Sequence, residues 1–227
     1  MSPTRTIAAV ALRRMLRGRA LWVGAIISTL PIGFAALTSA GRDSGIAEPG
    51  DVFGFVQLML AVLPALFVAS SIGEDIEDRT ITYLWSRPIP RWSVLVGKLI
   101  ATVPVIWLLS IASWCLASLA GGGQPTLESC LALALGGAAL SIIAATIATL
   151  APRYGMALTV CYMLFFDLPL GVMPAAIRYL SITQHDRTIA DLSGLAEDSA
   201  SSAAIGVVVI AGVWALIGLW RIRRLEA

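Results

Sequence analysis

The sequence predicts an all-α integral membrane protein with six transmembrane helices, an N-terminal interfacial amphipathic helix and a short cytoplasmic helix between the second and third spans. Three observations lead there. Of the 227 residues 58% are hydrophobic and 13% charged, with a mean hydropathy of +0.84, which is more apolar surface than one soluble domain buries. The apolar residues gather into six runs, each close to the roughly 20 residues a helix needs to cross a bilayer core. The basic residues lie between those runs and fall mostly on one side.

Residues 1–19 form the first unit and residues 20–227 the membrane domain. In "TRTIAAVALRRMLRGR", Ile7, Val10, Ala11 and Met15 keep helical spacing while Arg13, Arg14 and Arg17 spread around the rest. This pattern suits a helix lying along the inner leaflet; a solvated basic tail that only sets topology is the plainer alternative. The spans follow at about 20–40, 52–73, 94–119, 128–150, 156–176 and 203–220. Small residues at Thr38-Ser39-Ala40 resemble a signal-peptide cleavage site, but the first run is longer than a signal core and 19 residues precede it, so it is read as a span.

With the N-terminus cytoplasmic, the inner segments hold Arg5, Arg13, Arg14, Arg17, Arg19, Arg79, Arg87, Arg91, Lys98, Arg153, Arg221, Arg223 and Arg224. Of the 16 basic residues only Arg42, Arg178 and Arg187 then fall outside. The positive-inside rule selects this orientation, with both termini in the cytoplasm and the chain in the cytoplasmic membrane. The formal charge of +2 and the scatter of bases between apolar runs give no patch for nucleic acid.

The inner loop at residues 74–93 is the most polar stretch. "EDIEDRTITYLWSRPIPRWSVLVGK" (74–98) carries eight charged residues. As a helix over about 75–86 it sets Ile76, Thr80, Tyr83 and Leu84 on one face. Glu74, Asp75, Glu77 and Asp78 complement its positive end, and Asp75 is spaced to pair with Arg79. Pro88 and Pro90 end it, Pro88 by disfavouring helical geometry at Arg87. A loop whose charges merely hold topology is the bland reading. Glu74, Glu77, Thr80-Ile81, Tyr83-Leu84, Pro88, Arg91 and Gly97-Lys98 together resemble the cytoplasmic loop of type-2 ATP-binding-cassette (ABC-2) permeases, departing at Arg79, where members often carry Gly. That resemblance implies a coupling helix, with Glu74, Glu77, Arg79, Thr80, Tyr83, Leu84, Arg87, Pro88 and Arg91 meeting a separate P-loop ATPase. It also implies a second permease subunit, identical or not, beside this one in the lipid bilayer.

The chain has no P-loop of its own: around Gly97-Lys98 the first required Gly is Trp92 and the last Ser/Thr is Leu99. If transport is ATP-driven, as the resemblance implies, ATP and magnesium belong on the partner, with no cofactor and no catalytic role expected here. An intramembrane enzyme is the rival reading, because Glu74-Asp75-x-x-x-Arg79 resembles the E-E-x-x-x-R of CAAX-type proteases. Those also need histidines on neighbouring helices, and the one histidine, His185, falls outside. A passive channel or membrane scaffold is the other alternative.

Asp167 is the single ionisable residue at membrane depth, 11 residues beyond Met156 and so near the bilayer middle. It is expected on a translocation path or proton relay, or as the cap of a half-helix broken near Pro169 and Pro174. The outer segment at 177–202, with Asp186, Asp191, Glu197 and Asp198, has room for one or two short helices but no binding domain. Gly121-Gly122-Gly123 and "APRYG" (151–155) read as turns, and Gly136-Gly137 in the small-residue fourth span suits close packing. Cys115, Cys130 and Cys161 lack metal-site spacing and are expected as buried thiols, a Cys115–Cys130 disulfide being the alternative.

Overall fold

The computed structural model of the protein describes residues 3–41, 45–77, 92–173, 176–192 and 199–224. Over these the fold is all-helical, 90% helix and without strands. Six helical stretches are long and apolar enough to cross a membrane: Arg19–Ala40, Pro49–Gly73, Trp92–Ala120, Leu127–Leu150, Pro152–Gly171 and Ala200–Arg224. All six expected spans are found, and the protein is a multi-pass membrane protein.

In chain order the elements are α1 (Pro3–Arg17), α2 (Arg19–Ala40), α3 (Pro49–Pro64), a π turn at Ala65–Ala69 and α4 (Ser70–Glu77). Then come α5 (Trp92–Ala120), α6 (Leu127–Leu150) and a 3-10 turn at Pro152–Tyr154. The fifth span is α7 (Gly155–Tyr162), a second π turn at Met163–Asp167 and α8 (Leu168–Val172). A 3-10 turn at Ala176–Leu180 leads to α9 (Ile182–Ile189), and α10 (Ala200–Arg224) closes the bundle. Each π turn adjoins a proline, Pro64 or Pro169, whose missing amide interrupts the regular ladder.

The fifth span ends sooner than the sequence suggests. Met173 is already extended (φ −70°, ψ 131°), as expected of a residue held out of the helical region by a following proline, here Pro174. The shorter span brings Asp167 within four residues of its end at Gly171, away from the middle. The chain then turns back, and α9 packs among α6, α8 and α10 instead of staying at the surface.

The second and fourth spans are the most buried, and the first, fifth and sixth keep most of their surface outward. That outward surface is apolar: Trp22, Ile26 and Leu30 on α2, Phe165 and Phe166 in the π turn, Val208 and Leu216 on α10. The helix α6 touches α3, α5, α7, α9 and α10 and is the axis of the fold. Its small residues permit this, with Gly137 facing Leu60, Ile106 and Trp107. Lipid supplies no hydrophobic drive between spans, so polar links add selectivity. Trp107 Nε1 donates to the Ala134 carbonyl (2.7 Å), Ser113 Oγ to Ser28 (2.7 Å) and Thr146 Oγ1 to Trp214 (2.9 Å), joining α5 to α6, α5 to α2 and α6 to α10.

The expected turns form. Gly122 takes φ +77° beside Ile46, and the Ala47 amide donates to Gly121 (2.9 Å), tying two loops together. Thr126 caps α6 by accepting from the Ser129 amide (3.2 Å), and Ser129 Oγ receives Trp114 Nε1 (2.7 Å). The cysteines are free thiols, Cys115 and Cys130 half-buried but Cys161 exposed on the outward face of the fifth span, contrary to the expectation of burial.

At the end of the bundle that holds both termini, α1 folds back onto α5. Ile7, Ala8, Ala11, Leu12 and Met15 are half-buried, while Arg13, Arg14, Arg17 and also Val10 point outward. The approach depends on Gly97, whose absent side chain leaves room for Ile7 Cγ2 and the Thr4 carbonyl; a Cβ there would lie 3.0 Å from each. Replacing Gly97 with Leu should therefore lift α1 from α5, at a cost of about 1–3 kcal/mol. Tryptic cleavage at Arg13, Arg14 and Arg17 in the intact protein should become faster, and an unchanged cleavage rate would show that Gly97 does not seat α1.

Candidate functional site

Two polar centres sit at opposite ends of this apolar bundle. At the terminal end, α4 leads into the 74–93 stretch and α5 leads out of it. Lys98 is almost fully buried in the second turn of α5, and its Nζ lies 2.5 Å from Asp75 Oδ2 on α4 and donates to the Ser71 carbonyl. Arg14 of α1 reaches the other oxygen of Asp75 at 3.5 Å. A buried ammonium is stable only with such partners, so the ion pair fixes the roots of both spans against each other and ties α1 to them. Gly73 adds a close contact; a Cβ there would sit 2.8 Å from the Pro152 carbonyl.

Of the residues expected to couple, Glu74 and Glu77 belong to α4 but their side chains lie outside the described residues. Arg79, Thr80, Tyr83, Leu84, Arg87, Pro88 and Arg91 all lie outside the described residues, as does the rest of the proposed helix over 75–86 beyond Glu77. Asp75 pairs with Lys98 and Arg14, and its expected partner Arg79 lies outside the described residues.

The second centre is built around α9. Eight residues long and mostly polar, this helix is buried along nearly its whole length. A helix start leaves four amides without partners, and inside an apolar bundle each must be met. Asp167 accepts from the Ile182 amide through Oδ1 (2.9 Å) and from the Thr183 amide through Oδ2 (3.0 Å). Ser181, the N-cap, accepts from the Gln184 amide through Oγ (3.2 Å) and from the His185 amide through its carbonyl (3.4 Å). Ser181 Oγ in turn donates to the Asp167 carbonyl (2.7 Å). The Asp167 carboxylate thus sits at the positive end of the α9 dipole and closes the chain between the fifth span and α9. Capping was one of the two roles expected for Asp167, but the helix it caps is α9 and not a half of its own span.

Further along α9, Gln57 of α3 donates through Nε2 to the Thr183 carbonyl (2.8 Å) and accepts Arg187 Nε through Oε1 (2.8 Å). His185 Nε2 donates to the Tyr179 carbonyl (3.0 Å), the tautomer following from the carbonyl being an acceptor. Asp186 is fully buried, and among the described residues neither of its oxygens has a hydrogen-bond partner. Burial, with Asp167 close by adding to it, pushes the Asp186 carboxyl well above the usual carboxylate range.

Sequence reasoning found Asp167 but not Gln57, Asp75, Lys98 or Asp186 as centre residues. Gln57 is signalled by being the single amide in an apolar span, and Lys98 by a lysine just inside a span start; nothing marks Asp186 in a charged segment assigned to the outside.

The family described as ABC-2 family transporter protein matches residues 15–175, from the end of α1 to three residues beyond α8. The chain belongs to the ABC-2 transporter family. No curated protein matches it. ABC-2 proteins are membrane transport components, generally non-catalytic, and generally associate with an ABC ATPase. The matched stretch takes in the Asp75–Lys98 pair and Asp167, while α9 and the sixth span follow it.

Asp167→Leu should strand two buried amides, each costing about 1–3 kcal/mol, whereas Asp167→Asn keeps an acceptor oxygen for one of them. Folded yield and thermal midpoint in detergent should fall steeply for Leu and modestly for Asn. Equal values for both variants would show that the carboxylate is not what seats α9.

Proposed function

We propose that the protein is the permease subunit of an ATP-driven exporter, working with a separate P-loop ATPase and a second permease subunit in the cytoplasmic membrane, with both termini inside. The family match carries this reading. The terminal-end geometry supports it: whatever pushes on residues 78–91 pushes on α4 and α5 together, because the Asp75–Lys98 pair holds their roots in register. Movement there reaches α1 through Arg14 and through its contact at Gly97. Force applied to a loop is transmitted to spans only where the loop's ends are stiff, and a buried ion pair between neighbouring spans supplies that stiffness.

On this reading Glu74 to Arg91 form the docking element. Tyr83 and Leu84 are its apolar anchor, with Glu77, Arg79 and Arg91 as the polar rim, Thr80 on the anchor face, and Arg87 and Pro88 at its termination. An anchor in a pocket dominates such an interface, and rim charges contribute less. ATP and its magnesium bind the partner, and this chain supplies the path and receives the movement.

Leu84→Asp tests the assignment. It places a carboxylate against the partner's apolar pocket at a cost of several kcal/mol, enough to weaken docking by orders of magnitude. The variant should reach the membrane at normal levels, lose the copurifying ATPase and lose transport, while Arg87→Ala should lose less. Normal ATPase association by Leu84→Asp would contradict the docking role, and ATP hydrolysis by the isolated chain would contradict the division of labour.

A further inference from the structure

The helix α9 is received by glycines. A Cβ on Gly136 of α6 would lie 1.8 Å from Asp186 Oδ2, and one on Gly206 of α10 would lie 2.6 Å from the His185 ring. Gly54 of α3 would meet Arg187 at 3.2 Å, and Gly171 of α8 would meet Ser181 Oγ at 3.1 Å. Four elements thus each present a missing side chain to one polar side chain of α9. The socket is shaped for this helix, and the Asp186 carboxyl is pressed directly onto the α6 backbone.

Most polar side chains of α9 and its cap have a described partner. The side chains of Ser181, Thr183, His185, Arg187 and Thr188 each donate or accept a described hydrogen bond, while Asp186, with no exposed surface, has none for either oxygen. An ionised carboxylate so placed loses its water and gains nothing in return, a far larger penalty than that of a neutral acid. The titratable and charged groups around it do not relieve this. Asp167, from the π turn before α8, carries the same sign. On α9 itself His185 is turned to Tyr179 and Arg187 to Gln57, and in the preceding 3-10 turn Arg178 lies over the Tyr179 ring. The residues that α6, α10 and α3 present to α9 are Gly136, against Asp186 itself, Gly206 against His185, and Gly54 and Gln57 against Arg187, and none of them titrates.

We propose that Asp186 is a proton-binding site, and that α9 stays in its glycine socket only while the Asp186 carboxyl holds its proton. On release the O–H bond breaks, its electron pair remains on the carboxylate, and the proton passes to water at the end of the bundle away from the termini. The resulting anion has no partner in the socket, so hydration draws α9 outward and opens the space between α6 and α10. The site is independent of the ATPase assignment, since it requires only the bundle and α9.

The full-length protein in nanodiscs, labelled with carboxyl-13C aspartate, tests this by infrared spectroscopy. At about pH 7, where an ordinary Asp is fully ionised, the wild type should show a protonated-carboxyl C=O band that Asp186→Asn lacks. Gly136→Ala, which keeps Asp186 but fills its seat, should lose the same band. The sign of the accompanying stability change is fixed. The folded chain holds this proton and the unfolded chain releases it above about pH 4, so the melting midpoint should fall as pH rises and flatten in Asp186→Asn. Identical bands in wild type and Asp186→Asn, a band retained in Gly136→Ala, or the same pH slope in both proteins would each overturn the proposal.

Discussion

The fold depends on satisfying the polar groups of one short helix inside an apolar bundle. In water the amides at the start of α9 would find partners anywhere; between α6, α8 and α10 they have the Asp167 carboxylate and Ser181. This requirement explains several features at once. The fifth span stops early, with Met173 already extended, and the chain returns to Asp167. Gln57 interrupts an otherwise apolar second span because the Thr183 carbonyl and Arg187 need a two-sided partner. Glycines occur on four elements where α9 side chains arrive.

The terminal end follows the same rule with charges instead of amides. Lys98 is tolerated in the start of the third span because Asp75 and the Ser71 carbonyl receive it, and Arg14 completes the link to α1. The two centres lie at opposite ends of the second span, whose α3 segment carries Gln57 and whose α4 segment carries Asp75. Movement of that span is felt at both, which gives a physical route between the root of the 74–93 stretch and the seat of α9. On the proposed function, that route would run from the end where an ATPase docks to the far end of the bundle.

The spans were legible because hydropathy and length alone decide them: Arg19–Ala40 and Leu127–Leu150 agree with the sequence reading to within a residue. The fifth span was misjudged at its end because Ala175 and Ala176 continue the apolar run past Pro174, and composition does not register the φ/ψ restriction a proline places on Met173. Asp167 stood out as a lone acid among Phe and Leu, and both of its expected roles rested on burial. Its partner was not legible, because "SITQHDRTI" has the composition of a solvent loop and its seat includes glycines far off in sequence, such as Gly54, 133 positions before the Arg187 it faces. Asp75 is visible as a charge, but its link to Lys98, 23 positions on, is not legible, because sequence spacing points only to bases within one helical turn and not to a buried base on the facing helix.

Hydrogen–deuterium exchange of the full-length protein in nanodiscs tests the burial of α9 most directly. The amides of residues 182–189 should exchange as slowly as those in the middle of α6, since both are bonded and removed from water. Exchange of 182–189 as fast as the Pro152–Tyr154 turn would contradict the account, because it would place α9 in solvent and leave the Asp167 carboxylate without the amides it is described as holding.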